Sequence, residues 1–374
     1  MSFDDVIQEI NLTEVRERIQ SATGRDVERA LSAEQPGLEH APALFSEAAV
    51  PFLEEIARRS AALTRQRFGR VIYLFIPLYI SNECVNNCPY CGFAKGLDVK
   101  RVTLTPNKVM REAVFLHSQG FRHLLLVSGE HPAHVSIDYL RKIIASLDTL
   151  FDSISIEIQP MTREEYLILS EAGVDGLTLY QETYDPELYK FYHRSGPKSR
   201  YDMRLMAIEA GGEAELRTLG IGALLGLGDW RFEAVMLAHH GRYLMRRFWR
   251  SRLAVSFPRI RTQSGGFQPK FSVTDRDLIQ MICGMRLLFP DAELVISTRE
   301  APSLRDNLIG LGITRMSAGS RTIPGGYLIR AESNGGQFEV EDRRTPEEVC
   351  HAICAKGFEP VWKDFDRQFC VKDT

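Results

Sequence analysis

From residue 71 onward, short apolar runs alternate with amphipathic stretches that open on a capping residue and close on glycine. Eight runs read as strands: Val71–Tyr79, His123–Val127, Ser153–Ile158, Val174–Gln181, Thr218–Leu225, Arg252–Phe257, Glu293–Ser297 and Ile313–Ser317. Helix starts fall between most of them. Thr105-Pro106 sets a capping residue before a proline at the first helical position, and Gly120 ends that helix. Thr162-Arg163-Glu164-Glu165 is a capping box with Gly173 as its stop, and Asp185-Pro186-Glu187 and Thr274-Asp275-Arg276-Asp277 repeat the logic. Eight alternating units predict an α/β chain folded as a (β/α)8 barrel.

Residues 1–70 read as an N-terminal helical extension. It contains the amphipathic stretch Glu14–Ile19, a helix capped by Asp26 through Leu31, and a longer helix over Pro51–Phe68 stopped by Gly69. The barrel is expected over 71–322. A short C-terminal extension, 323–374, starts with Ile323-Pro324-Gly325-Gly326-Tyr327 and holds one helix, opened by Thr345-Pro346-Glu347-Glu348 and ended by Gly357.

Within the third strand, Ser153-Ile154-Ser155-Ile156-Glu157-Ile158-Gln159, isoleucine alternates with polar residues. Period two sends the two sets to opposite faces. The isoleucines should meet the helices, leaving Ser155, Glu157 and Gln159 toward the barrel interior. Thr178, Tyr180 and Glu182 share a face by the same argument. A barrel packed for stability alone fills its centre with branched apolar side chains, so polar inward faces point to a lumen that holds a ligand. A hydrated polar plug is the other reading.

The composition is that of a soluble globular chain of 374 residues, 44% hydrophobic and 25% charged, with a net charge of −3. That charge gives no reason to expect nucleic acid or an anionic membrane as partner. No apolar run approaches a membrane span, and the first residues are not a signal peptide. Seven cysteines, three in one tight group, argue for a reducing compartment, and a cytoplasmic location is expected.

That group is Cys84, Cys88 and Cys91, a C-x3-C-x2-C loop directly after the first strand. Loops in this position lie at the C-terminal mouth, where barrel enzymes carry their sites. Thiolates suit zinc or iron–sulfur clusters. Structural zinc takes four ligands, whereas three suit a cubane cluster with one iron left open. An incomplete zinc site or three buried thiols are the alternatives.

The spacing, with Tyr90 before the last cysteine, resembles the radical S-adenosylmethionine (SAM) enzymes. The resemblance implies a [4Fe-4S] cluster on Cys84, Cys88 and Cys91, SAM on its open iron, and Tyr90 beside the adenine. Ser128-Gly129-Glu130 after strand two is similar to the segment that holds the methionine amino group. Glu157 would accept hydrogen bonds from the ribose or amine of SAM. Tyr201-Asp202-Met203-Arg204-Leu205 resembles a segment whose arginine, here Arg204, meets the SAM carboxylate. Gly222 to Gly228, with Gly226, looks like the backbone-exposing stretch near the adenine. The match extends through Arg65–Gly69, Cys91-Gly92-Phe93, Tyr180–Tyr184, Ser256–Arg259, Ser297–Glu300 and Pro360–Asp364. These segments recur in the tyrosine lyases (2-iminoacetate synthases) of bacterial thiazole biosynthesis.

That branch implies cleavage of SAM to methionine and a 5′-deoxyadenosyl radical, then scission of the Cα–Cβ bond of L-tyrosine to 2-iminoacetate and p-cresol. Its implied partners are thiazole synthase and a flavodoxin or ferredoxin-type electron donor. Arg321, with Ser317 and Ser320 near it, resembles a substrate-carboxylate contact; Arg299 is the rival, and Tyr180 and Glu182 would line the phenol pocket. The neighbouring readings are a tyrosine lyase of [FeFe]-hydrogenase maturation, with a second cluster in a C-terminal extension, and a tryptophan-acting radical lyase. A non-enzymatic zinc protein is the reading from another class. Cys350 and Cys354, four apart in the last helix, are expected to be small packing groups rather than ligands with Cys370.

Overall fold

The computed structural model describes residues 2–328 and 335–363. Eight strands form a closed, all-parallel barrel: β1 Val71–Ser81, β2 His123–Ser128, β3 Ser153–Glu157, β4 Gly176–Thr178, β5 Thr218–Gly222, β6 Arg252–Ser256, β7 Glu293–Ile296 and β8 Arg315–Ser317. Each pairs with the next, and β8 returns to β1 through Tyr73↔Arg315 and Phe75↔Ser317. The alternation read from the sequence is what closes it. Ile72, Leu74, Ile76, Leu78 and Ile80 of β1 are all buried toward the helices, while Phe75, Pro77 and Tyr79 line the lumen. Full burial of such an aliphatic side chain contributes about 1.5–3 kcal/mol.

β4 is shorter than the expected Val174–Gln181. Beyond Thr178 the chain still donates to β5, through Leu179 N to Gly220 O and Gln181 N to Gly222 O. Regular pairing with β3 has ended, because β3 stops at Glu157.

The N-terminal helices clad the outside of the barrel helices. Phe3 is buried, its ring stacked on His240 at 4.1 Å and its amide donating to Glu209 at 2.7 Å. Asp26 is not the cap of its helix. Gly24–Ser32 starts at the Thr23 cap, and Asp26, the third residue of a capping box, accepts a hydrogen bond from Thr23 N. The expected helix from Pro51 begins as a 3-10 turn, Glu47–Phe52, with the α-helix running Leu53–Phe68.

The last helix, Pro346–Ala355, takes the position of the barrel's eighth helix. Its Pro346 lies against Gly319 just above β8, and its lower end leads to a ninth strand, β9 Glu359–Val361. β9 pairs parallel with the lower part of β1 (Val71–Tyr73), while β2 takes the upper part (Ile76–Ser81). The sequence reading missed β9, a three-residue segment with a central proline. The helix and β9 lie beyond the expected boundary at 322 and pack onto the barrel. Val349 and Ile353 are the buried face of this helix; Cys350 is half-buried and Cys354 exposed, so Cys354 is not the packing group expected of it. Cys370 and Asp364 lie outside the described residues. Among the described residues, no helix is long and apolar enough to cross a membrane.

Candidate active site at the mouth of the barrel

The loop after β1 is held by its own backbone and by one arginine. Arg101 donates to the carbonyls of Asn82, Phe93, Ala94 and Leu97 at 2.6–3.3 Å. Lys95 N donates to Asn86 O at 2.8 Å and Gly92 N to Gln337 O at 2.9 Å. A side chain at Gly92 would meet the Gly336 carbonyl at 2.2 Å, so only glycine admits that contact. The outcome is a chamber into which Cys84, Cys88 and Cys91 all open, together with Asn86, Ser128, Gly129, Glu130, Glu182, Lys198 and Arg204.

The three thiols are free. Burial pushes Cys88 up to about 12 and Cys91 up to about 11. Protonated thiols this buried become thiolates when a metal takes the proton's place. Ser128 Oγ is buried without a hydrogen-bond partner among the described residues. Gly129 is packed so closely that a Cβ would lie 2.3 Å from Glu83 O. Three convergent thiols, an open hydroxyl and a backbone stripped of side chain fit an iron–sulfur cluster with an organic ligand beside it.

Charges around the chamber form one network. Arg204, on the helix Tyr201–Glu213, donates to Glu130 at 2.5 Å and to Tyr180 O at 2.9 Å, and lies 3.7 Å from Glu182. Asn86 Nδ2 donates to the other Glu130 oxygen at 2.7 Å. Lys198 Nζ meets Glu182 at 2.6 Å. Burial raises Glu182, but Lys198 and Arg204 outweigh it and hold the carboxyl below its ordinary value. Glu182 has φ +72°, a left-handed conformation rare for such a residue. That twist breaks the expected alternation: Thr178 and Tyr180 face the lumen, whereas Glu182 faces the cysteine chamber. Sequence reasoning missed Lys198, on the 3-10 turn Pro197–Ser199, and Asn86 and Arg101, in loops; none of them lies in a periodic pattern.

Tyr90 is buried, its hydroxyl 2.6 Å from His193 Nε2. His193 Nδ1 lies 2.8 Å from Tyr189 O. A carbonyl can only accept, so Nδ1 carries the proton and Nε2 accepts from Tyr90. Burial lowers His193 to about 3, in keeping with that neutral ring. Leu224, Leu227, Tyr192 and Phe267 gather with Tyr90 into an apolar wall. Gly222 lets Tyr180 lie flat, since a Cβ there would meet the ring at 2.8 Å; Gly226 has φ +115°.

The lumen lies beneath. Ser155, Glu157, Thr178, Tyr180, Arg299, Ser317 and Ser320 line it. Arg299 lies over the Phe338 ring, 3.3 Å from its centroid. Burial drives Glu157 up to about 7, against the pull of Arg299. Ser317 Oγ accepts from Thr298 N at 3.1 Å, and Ser320 Oγ is buried and unpartnered among the described residues. Two expectations shift. Gln159 turns to the mouth, where it accepts from His131 N and donates to Val135 O. Arg321 is exposed and outside the lumen lining, its backbone N donating to Tyr327 Oη. Glu157, Tyr180 and Gln337 belong to the walls of both lumen and cysteine chamber.

Residues 78–238 match the Radical SAM superfamily, and residues 256–359 match the Biotin and Thiamin Synthesis associated domain. The chain is 43% identical to the 2-iminoacetate synthase of Escherichia coli strain K12, across 98% of this chain and 97% of that protein. It is 42% identical to the 2-iminoacetate synthase of Salmonella typhimurium strain LT2, with the same coverage. The crystal structure of HydG, a maturase of the [FeFe]-hydrogenase, superimposes with a TM-score of 0.89 at 30% identity, over 96% of this chain and 82% of that one. A likeness that runs the length of the chain, on a barrel whose three mouth cysteines share one chamber, means that the chain belongs to the 2-iminoacetate synthase family of the radical SAM superfamily.

Proposed function

We propose that the protein cleaves the Cα–Cβ bond of L-tyrosine, releasing 2-iminoacetate and p-cresol with 5′-deoxyadenosine and methionine as co-products. The imine then enters the thiazole of thiamine. The observation that carries this reading is the shared wall. Glu157, Tyr180 and Gln337 border both cavities, so a substrate in the lumen lies next to the cysteine chamber, across a boundary that these side chains share.

Cys84, Cys88 and Cys91 hold one [4Fe-4S] cluster. When bound, cluster and SAM supply the electron and the hydrogen-abstracting radical. The chain's own residues position and enclose. Ser128, Gly129 and Glu130 receive the methionine end of SAM, and Arg204 and Lys198 are the cations its carboxylate meets. Glu157 accepts from ribose or amine, and Tyr90 with the Gly222–Gly226 stretch borders the adenine. Arg299, rather than Arg321, pairs with the tyrosine carboxylate, because it is the arginine at the lumen's mouth and a guanidinium binds a carboxylate bidentately. Ser317 and Ser320 add hydroxyls there, and Tyr180 lines the pocket with Glu182 behind it. Residues 1–70 clad the barrel, 71–322 carry most of the site, and Gln337 and Phe338 of the C-terminal extension complete its lining. Thiazole synthase and a flavodoxin or ferredoxin-type donor are the proposed partners.

Anaerobic incubation of the reconstituted protein with SAM, a reductant and L-tyrosine tests the reading. The expected products are p-cresol and glyoxylate, the hydrolysis product of 2-iminoacetate. Turnover of tryptophan with no p-cresol from tyrosine would move the chain to another branch.

A further inference from the structure

We propose that Glu83, His131 and His134 bind one divalent first-row metal ion, of the zinc or iron(II) kind, outside the three-cysteine chamber. One ligand atom from each lies within 4.8 Å of the others. The three residues come from two loops joined by backbone. Gly129 N donates to Ser81 O at 3.0 Å, and Val85 N donates to Glu130 O at 2.9 Å. Glu83 on the first loop is thereby set against the histidines of the second.

The histidines are arranged by a single helical turn. His134 N and Val135 N both donate to His131 O, at 3.0 and 2.9 Å, which places residues three apart on the same side. The two imidazoles lie 4.3 Å apart at 80°. Gln159 braces the turn at both ends, accepting from His131 N at 3.2 Å and donating to Val135 O at 2.8 Å.

Two imidazoles and a carboxylate form a donor set that suits zinc or iron(II), with positions left open. A tetrahedral ion about 2.1 Å from each ligand holds ligand atoms roughly 3.4 Å apart. Side-chain rotations of about 1 Å therefore close the site. An independent observation points the same way. His131 Nδ1 is buried and has no hydrogen-bond partner among the described residues, although buried ring nitrogens are as a rule satisfied. His134 is exposed, which leaves the ion a route of entry and room for water. An ion here clamps the cysteine loop, through Glu83, to the Ser128–Glu130 loop.

The test uses the full chain with its iron–sulfur cluster in place. Anaerobic equilibration with zinc, followed by zinc-free dialysis, is read by elemental analysis and by X-ray absorption at the zinc edge. About one zinc per chain is expected, with nitrogen and oxygen neighbours and imidazole scattering. His134→Ala, an exposed position, and Glu83→Gln should each lower zinc retention at least tenfold while iron stays at the parent level. Zinc held through sulfur, equal retention in His134→Ala, or no retained zinc would overturn the site.

Discussion

Arg299 and Arg321 illustrate how far a single residue is legible. Both sit after late strands, and both are cations near hydroxyls in the sequence. Only the folded chain shows that Arg321 faces solvent while Arg299 lies on Phe338 at the lumen. Losing one partner of a desolvated charge pair costs about 2–5 kcal/mol. Arg299→Ala should therefore reduce kcat/KM for tyrosine by that measure, with the cluster's spectrum intact, while Arg321→Ala leaves it near the parent value; steady-state kinetics on the pair decides. The three cysteines were legible as a group, because their spacing keeps them on one loop, and they open into one chamber. Cys88→Ala should form no 5′-deoxyadenosine, assayed after identical reconstitution; formation at the parent rate would remove the cluster from these residues. Glu157 was legible as an inward carboxylate but its environment was not. Its folded pKa, about 7, exceeds the ordinary 4.5. The folded state thus binds the extra proton between these values, and the stability linked to this group falls as pH rises from 4.5 to 7. Glu157→Gln should unfold at a higher temperature than the parent at pH 8, in the absence of SAM. That gain should shrink as the pH falls toward 4.5, and a pH-independent difference would contradict the burial argument.

At the scale of elements, helix caps were readable because side-chain capping is local, as Thr162 with Glu165 and Thr345 with Glu348 show. What was not readable is set by contacts across the fold. β4 ends early because β3 does, and Glu182 leaves the strand's alternation because two distant cations, Lys198 and Arg204, draw it toward the cysteines. The join between the cysteine loop and the loop after β2 depends on Gly129, whose missing Cβ leaves room for Glu83 O. Gly129→Ala adds an atom where 2.3 Å is available, and overpacking of this kind costs about 1–3 kcal/mol. The expected result is a loss of SAM affinity of that size, measured by equilibrium binding to the reconstituted protein. An unchanged affinity would mean that the two loops part without consequence for the ligand.

For the molecule as a whole, the eightfold alternation announced the barrel, whereas the seam between β1 and β9 was invisible. The number of clusters also belongs to this scale. The helix carrying Cys350 and Cys354 packs along the barrel wall, with Val349 and Ile353 buried beneath it, away from the cysteine chamber. A single four-iron cluster per chain is expected, and the double change Cys350→Ser with Cys354→Ser should leave the iron content as it was; a loss of about half would reveal a second cluster. The seam itself bears on how the protein comes into being. On one edge β1 is paired above by β2 and below by β9, so among the described residues the lower part of that edge is satisfied by a strand almost three hundred positions later in the chain. Contacts between such distant segments are slow to form, and an open strand edge is adhesive while they are pending. A nascent chain on the ribosome therefore carries its cysteine loop on a half-bare strand until residue 361 has emerged. Assembly of a metal centre on the closed scaffold must wait for that pairing, and chaperones that shield strand edges would have their longest task here.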